Sequence, residues 1–521
     1  MKYRIISLSA MLIALLLVTL TYNGHSKANK EGDIVSKATE KGEYIYEPTE
    51  NEANIYARVI ELENSGAKNG RLLSTFERST EDGSPSKFII RASDDNGENW
   101  YTLSTVSDPL EGDGHPASNA WQPFLFEFPQ QLGEYPAGTI MLVGNTVPQN
   151  VNSTKFQAWY SFDQGETWES HGVIQEGGTF SEGIWEPFLY LDNKDQLVMV
   201  FADERDSANH SQVIAQVISK DGGKTWSEPT PIVASAIQAD RPGMPTVAKV
   251  GKNGPYVMAY EICGRAHCYI NVKTSANGHK WGDPADLGSR VVTTDGYYPG
   301  HSPYITWIPT GGKKGQLVLS SQFTFETSTH DIAPGNYQTV FINTNNGKGD
   351  WSWAPAPWKV SNASPKCNAN YSPHIMPVGD EGLVRYTAPT SFSSGLSCGE
   401  RTGVANIGTL PYESNFAENG TSGWALYGGN WIVEDGALNE TLGGGGGNKA
   451  VTGSTGWKNY VVSGFIKATT DGVPGIAVRV TQPSVGTDSY SGYLVFYDTN
   501  VNTFTIARGE YAYQQLASTT I

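Results

Sequence analysis

Ser161-Phe162-Asp163-Gln164-Gly165-Glu166-Thr167-Trp168 is the middle one of three near-identical octads. Ser93-Asp94-Asp95-Asn96-Gly97-Glu98-Asn99-Trp100 precedes it and Ser219-Lys220-Asp221-Gly222-Gly223-Lys224-Thr225-Trp226 follows. All three obey S-x-D-x-G-x-[TN]-W, and weaker copies lie at 275–281 and 345–351. Ser and Asp can bond backbone amides inside a tight turn. Gly supplies the positive φ, and Trp is expected to pack the turn onto its own sheet. The octad reads as a hairpin staple, and its aspartates as structural.

Around the octads, short apolar strands are centred on Leu72, Met141, Val198, Val257, Val318 and Leu383, roughly 60 residues apart. Six strand-rich units without helical periodicity predict an all-β chain built on a six-bladed β-propeller over residues 45–412. Composition agrees, since aromatics reach 11% and the chain carries 58 Gly and 28 Pro, a mix of short strands and turns. The formal charge of −17 repels phosphate backbones, so no nucleic-acid partner is expected.

A second segment precedes each of these strands, commonly with an x-Pro step. Trp121-Gln122-Pro123-Phe124-Leu125 matches Trp185-Glu186-Pro187-Phe188-Leu189, and Gly243-Met244-Pro245, His301-Ser302-Pro303 and Tyr371-Ser372-Pro373 follow. Tyr56-Ala57-Arg58 takes that place in the first unit. These are read as the innermost strands, whose starts ring the mouth of a central channel, an edge that suits a residue without an N–H.

The ends differ from the middle. Lys2 and Arg4, an apolar run from Ile5 to Leu20 and Ser26-Lys27-Ala28 form a secretory signal over 1–28, with a membrane anchor as the alternative. Export, extracellular location and no lasting membrane anchor are therefore expected. From about Asn415 the octads stop, and alternating stretches such as Tyr460–Ile466 predict a second domain, a β-sandwich over 415–521 that is incomplete at Ile521. Trp424, Trp431, Trp457, Tyr490 and Tyr493 are its candidate sugar-stacking rings, with core packing the commoner fate. The four cysteines of an exported chain predict two local disulfides, Cys263 with Cys268 and Cys367 with Cys398. A four-cysteine metal site lacks the usual spacing. No metal or nucleotide cofactor is expected, because H-E-x-x-H, paired CxxC and P-loop motifs are missing.

The informative rim positions are those where one repeat carries an acid. Glu186 fills the slot that Gln122 has one unit earlier, and Glu261 ends the strand Tyr256-Val257-Met258-Ala259-Tyr260 of the next unit. Comparable strand ends carry Glu77, Asn145, Asp203 and Gln322. Two carboxyls in adjacent units, both beside aromatics, fit glycoside cleavage, in which one donates a proton and the other attacks or activates water. Trp185 is a candidate apolar wall for the acid. Arg58, Gln122, Asp203, Arg241, Tyr304 and Tyr371 are the polar and aromatic candidates for holding substrate on the same rim, and His210 reads as structural.

The octads resemble the Asp boxes of the sialidase superfamily. The finer set Trp121–Phe124, Trp185–Phe188, Ala202–Arg205, Arg241–Pro245, Tyr260–Gly264 and Asn370–Pro373 resembles glycoside hydrolase family 93, the exo-α-1,5-L-arabinanases. That resemblance implies a six-bladed propeller releasing arabinobiose from arabinan chain ends with retention, with Glu186 as acid/base, Glu261 as nucleophile, and Arg241 and Tyr371 as pocket residues. The tail resembles concanavalin-like carbohydrate-binding modules. Two other readings stay open. True sialidases share the Asp boxes but use an arginine triad and a Tyr nucleophile, a set that Arg58, Arg241, Arg385 and Tyr371 could imitate, although the chain has Tyr56-Ala57-Arg58-Val59 in place of F-R-I-P. A noncatalytic carbohydrate-binding propeller needs only the octads and the tail.

Overall fold

The computed structural model describes residues 18–20, 43–49, 51–109, 117–150, 152–364, 367–391, 398–443, 446–468 and 472–521. The expected signal at 1–28 lies outside them apart from Val18–Leu20, which pairs in parallel with Val462–Gly464. Among the described residues no helix is long and apolar enough to cross a membrane. The chain is all-β, with one α-helix in the described part, Phe416–Asn419.

Six antiparallel sheets follow one another along the chain, with first strands Glu52–Glu61, Ser118–Glu127, Ile184–Leu191, Arg241–Lys249, Tyr304–Ile308 and His374–Val378. Each first strand packs against the next, and the sixth returns to the first, so the sheets form a closed ring. The apolar strands centred on Leu72, Met141, Val198, Val257, Val318 and Leu383 are the second strands. Leu197–Asp203 is buried along its whole length, as a strand covered on both faces must be. Glu43–Tyr46 supplies the outer strand of the sixth sheet by pairing with Gly399–Asn406, so the ring is closed by the two ends of the same segment. Tyr297–Gly300 and Phe323–Glu326 pair beyond the fourth sheet and tie it to the fifth.

The first strands share a distortion at the x-Pro step. Register slips between Trp121 and Phe124, Trp185 and Phe188, and Gly243 and Thr246, and between Ile55 and Arg58 in the first sheet. Gln122, Glu186 and Met244 take φ of 52°, 65° and 51°, each directly before proline, and Ser302 and Ser372 take 42° and 51° before theirs. Positive φ costs a residue with a Cβ on the order of 1–2 kcal/mol. Here it forms a bulge that turns one N–H and one side chain out of the ladder, and the following proline has no N–H to strand.

The octads close as expected within each turn but pack differently. Gly165 N and Gly223 N donate to Ser161 Oγ at 2.8 Å and Ser219 Oγ at 2.7 Å, and Thr167 N donates to Asp163 at 2.8 Å. Trp100 and Trp168 donate from Nε1 to their own turn glycines at 3.1 Å. The turn as a whole, however, leans on the preceding sheet rather than only its own. A Cβ on Gly97 would lie 2.5 Å from the Arg385 guanidinium of the sixth sheet, and one on Gly223 would lie 2.6 Å from Tyr160 Oη of the second. Tyr190 Oη of the third sheet donates to Gly278 O at 2.6 Å in the fourth turn. The octad glycine is thus needed for close approach between sheets as well as for φ.

The tail forms one four-stranded antiparallel sheet, Gly475–Thr481, Ser491–Asp498, Thr503–Glu510 and Tyr513–Thr520, with two two-stranded pairs, Trp424–Tyr427 with Lys449–Thr452 and Trp431–Glu434 with Ala437–Glu440. Tyr513–Thr520 is exposed throughout. Tyr490 is buried, and the Trp457 indole donates to Gly408 O at 2.9 Å, so these two expected sugar-stacking rings serve packing.

Candidate active site

The bulges turn toward the ring interior, and there each sheet supplies an acceptor to the next. Ala57 N donates to Glu400 Oε1 at 3.0 Å, Gln122 N to Glu77 Oε1 at 2.8 Å, and Glu186 N to Gln122 Oε1 at 3.0 Å. Met244 N donates to Glu186 Oε2 at 2.7 Å, Ser302 N to Glu261 Oε2 at 2.6 Å, and Ser372 N to Ser302 Oγ at 2.9 Å. These N–H groups, freed from the ladders by the bulges of the first four sheets or lying just before the first strands of the fifth and sixth, are all satisfied across a sheet boundary. Glu186 and Glu261 are members of this ring, each held by one oxygen.

Gly243 stands between the two residues in the fold, paired with Glu261 in its own sheet and facing a Glu186 oxygen of the preceding one. Glu261 is paired with Gly243 across the fourth sheet, and a Cβ on Gly243 would reach 3.5 Å from Glu186 Oε2 and 2.3 Å from Gln212 Nε2. Burial raises Glu186 to about 8, with the Glu261 charge as the next cause and Glu204 adding to it, while the Met244 N–H and Arg241 oppose. Burial raises Glu261 to about 7, opposed by the Ser302 N–H and by Arg241. Each carboxyl therefore keeps its proton far above the ordinary carboxylate range.

Tyr371 completes the cluster. Its phenol is held well above its normal value by burial and then by Glu186, Glu261 and Glu77, and its ring lies 6.3 Å from that of Tyr56. Glu77 is itself raised by burial to about 7. The Cys263–Cys268 disulfide closes the loop after Glu261, with Cys263 Sγ 3.5 Å from Glu261 Oε1, and Cys367 is bonded to Cys398. Among the described residues the one three-member group with metal-ligand geometry is Cys263, Cys268 and His301, whose two sulfurs are bonded to each other.

Several expected substrate contacts are engaged otherwise. Arg58 is buried and donates to Ala57 O at 2.9 Å, Ser372 O at 3.1 Å and Ser372 Oγ at 2.7 Å, which makes it a tie between the first and sixth sheets. Both oxygens of Asp203 are taken by Arg205, at 2.8 and 2.6 Å. Tyr304 is buried against Phe188 and His374 with Arg58 over its ring. Gln122 spends its carbonyl oxygen on the Glu186 N–H. Arg241 and Trp185 remain at the rim, half-buried, and both are held by Glu204, which the sequence marks only as one of the polar run Asp203-Glu204-Arg205-Asp206 facing the rim. Glu204, 4% exposed, accepts from Trp185 Nε1 at 2.8 Å on one oxygen and from Arg241 Nη2 on the other. Trp185 also packs beside Trp121 and Phe180. Glu400 and Glu77 were likewise unassigned, since their partners are hundreds or tens of residues away; only the rim position of Glu77 signalled it.

The arginine triad of the sialidase reading does not assemble. Arg385 is buried and donates to Asn96 O at 2.8 Å and Asn96 Oδ1 at 2.7 Å, inside the first Asp-box turn, while Arg58 and Arg241 stand at the channel.

The BNR/Asp-box repeat model matches residues 159–170 and 217–228. No curated protein matches the chain by sequence. Among solved structures, the Penicillium chrysogenum α-L-arabinanase complexed with arabinobiose is 27% identical with a TM-score of 0.58, over 70% of this chain and 98% of its own. The GH93 α-L-arabinofuranosidase of Fusarium graminearum, also complexed with arabinobiose, is 27% identical with a TM-score of 0.58, over 70% of this chain and 97% of its own. In repeat signature and in fold, the chain resembles the family 93 glycoside hydrolases of the Asp-box superfamily.

Proposed function

We propose that the protein is an exported glycoside hydrolase that acts from the ends of α-1,5-L-arabinan and releases arabinobiose with retention of configuration. The observation that carries this reading is the pair Glu186 and Glu261, carboxyls of adjacent sheets that each accept an N–H across a sheet boundary in one ring of bonds and each hold their proton above the ordinary carboxylate range. Glu186 donates its proton to the glycosidic oxygen as that bond breaks. Glu261, its anion supported by the Ser302 N–H and Arg241, attacks the anomeric carbon and forms a covalent glycosyl ester. Water then breaks the ester while Glu186 takes back a proton. The family likeness supports arabinan as substrate, and a formal charge of −17 suits a neutral polysaccharide.

The same reading takes the ring of sheets as a six-bladed propeller spanning 45–412, residues 1–28 as an export signal, and 415–521 as an appended domain of carbohydrate-binding type. Incubation with linear arabinan and with sialyl-lactose tests it. Arabinobiose is expected, with the product configuration at early time matching the substrate. Free sialic acid would move the protein to the sialidases, and binding without turnover would make it a lectin. Glu261→Gln is expected to lower turnover at least about 100-fold while the fold is kept.

A further inference from the structure

We infer that Glu77 and Gln122 are positioning residues that hold Glu186 in its working geometry through a two-step backbone relay. The inference rests on the reading of Glu186 as the acid. Glu77, within the second strand of the first sheet (Leu72–Thr80), accepts the Gln122 N–H. That bond fixes the bulge from which the Gln122 side chain leaves the second sheet. Gln122 Oε1 in turn accepts the Glu186 N–H and fixes the bulge of the third sheet, where Glu186 takes φ of 65°. Glu186 then reaches Met244 N with Oε2. The acid thus sits at a positive φ directly before Pro187, a strained backbone position held by the Gln122 bond.

The relay acts by geometry. The Glu77 charge is not among the main influences on Glu186, whereas the Glu261 and Glu204 charges are. Either an amide oxygen or a carboxylate oxygen can accept the Gln122 N–H, so Glu77→Gln preserves the link and Glu77→Ala cuts it. Gln122→Ala keeps the first bond and cuts the second. Loss of a catalytic group's support at this distance costs roughly 10- to 100-fold in rate.

Three variants and the double mutant decide the matter. Glu77→Ala and Gln122→Ala are each expected to lower kcat on linear arabinan by roughly 10-fold or more with KM little changed. Glu77→Gln is expected to stay near the wild-type rate, and the double variant to be no worse than either single one, as two links in one chain require. A titration of the Glu186 carboxyl by carbon-13 NMR, assigned by its disappearance in Glu186→Gln, gives a readout that needs no turnover. It is expected to move upward in both alanine variants, where the Met244 N–H is lost, and to stay put in Glu77→Gln. Additive losses in the double variant, or an unmoved Glu186 titration in folded alanine variants, would overturn the relay. Failure of the wild type on arabinan would instead strike the substrate assignment and leave the titration to judge the relay.

Discussion

Glu204 and Arg241 form an ion pair at the rim in which the carboxylate is almost wholly buried and the guanidinium is 43% exposed. The pair acts on the two carboxyls with opposite signs: Glu204 raises Glu186, whereas Arg241 lowers both Glu186 and Glu261. The proposed mechanism needs Glu261 ionised and Glu186 protonated, so on that proposal the acid limb of the rate profile follows Glu261 and the alkaline limb Glu186. Glu204→Gln removes the negative charge, and the alkaline limb is expected to move to lower pH with the acid limb in place. Arg241→Gln removes the cation and is expected to move both limbs to higher pH. The two profiles, measured as kcat/KM against pH, check the assignment by direction alone; shifts in the same direction would contradict it.

Stability carries the same signature. Glu186 has a folded-state pKa of about 8, above its unfolded value, so the fold loses stability as pH rises from the unfolded value through the folded one. Below both values the group contributes no difference. Glu186→Gln is therefore expected to leave stability unchanged near pH 4 and to raise it above pH 8, by on the order of 1 kcal/mol or more, with the melting temperature rising accordingly. Calorimetry of both proteins across that range tests it, and a variant less stable at alkaline pH would rule out a buried, reluctantly ionised acid.

The octad glycines offer a test of the sheet-to-sheet contact. Gly223 and Gly172 share nearly the same φ, 94° and 95°, but a Cβ on Gly172 meets nothing within 4 Å and one on Gly223 meets Tyr160 Oη at 2.6 Å. Alanine at 172 is expected to cost about 1 kcal/mol for φ alone. Alanine at 223 is expected to cost about 1–3 kcal/mol beyond that, the range for overpacking. Thermal melts of the two variants measure the difference, and equal losses would reduce the octad glycine to a turn former.

These contacts mark the boundary of what the sequence discloses. Asp boxes, second strands and x-Pro starts are local patterns, and they predict the sheets, their order and the rim positions of Glu186 and Glu261. Both disulfides join the nearer partner, as the spacing implies. The acceptor ring is invisible at that level because its bonds join residues in different units, such as Ala57 with Glu400. Arg58 and Asp203 look like open rim groups in sequence, and only the neighbours Ser372 and Arg205 show that they are spent on structure. Glu204 is legible only as a member of the charged run 203–206; that one acid pairs with Arg205 and the next holds Arg241 shows only in the fold.

The tail is joined to the ring by more than a linker. Thr455 and Trp353 exchange two bonds, with Thr455 N donating to Trp353 O and Trp353 N to Thr455 Oγ1, both at 3.0 Å. Gln482 Nε2 donates to Asp295 O at 2.7 Å, and Trp457 Nε1 reaches Gly408 O. Trp353 belongs to the outer strand of the fifth sheet and is 2% exposed, packed 5.9 Å from Tyr297. Removing residues 415–521 takes away these partners, and each buried backbone group left unsatisfied costs about 1–3 kcal/mol. Deletion is therefore expected to lower the melting temperature of the ring and to make the Trp353 region sensitive to protease, before any effect on polysaccharide binding is considered. A truncated ring that melts at the full-length temperature would mean that the two parts are energetically independent, and loss of binding to insoluble arabinan without loss of stability would then assign the tail a targeting role alone.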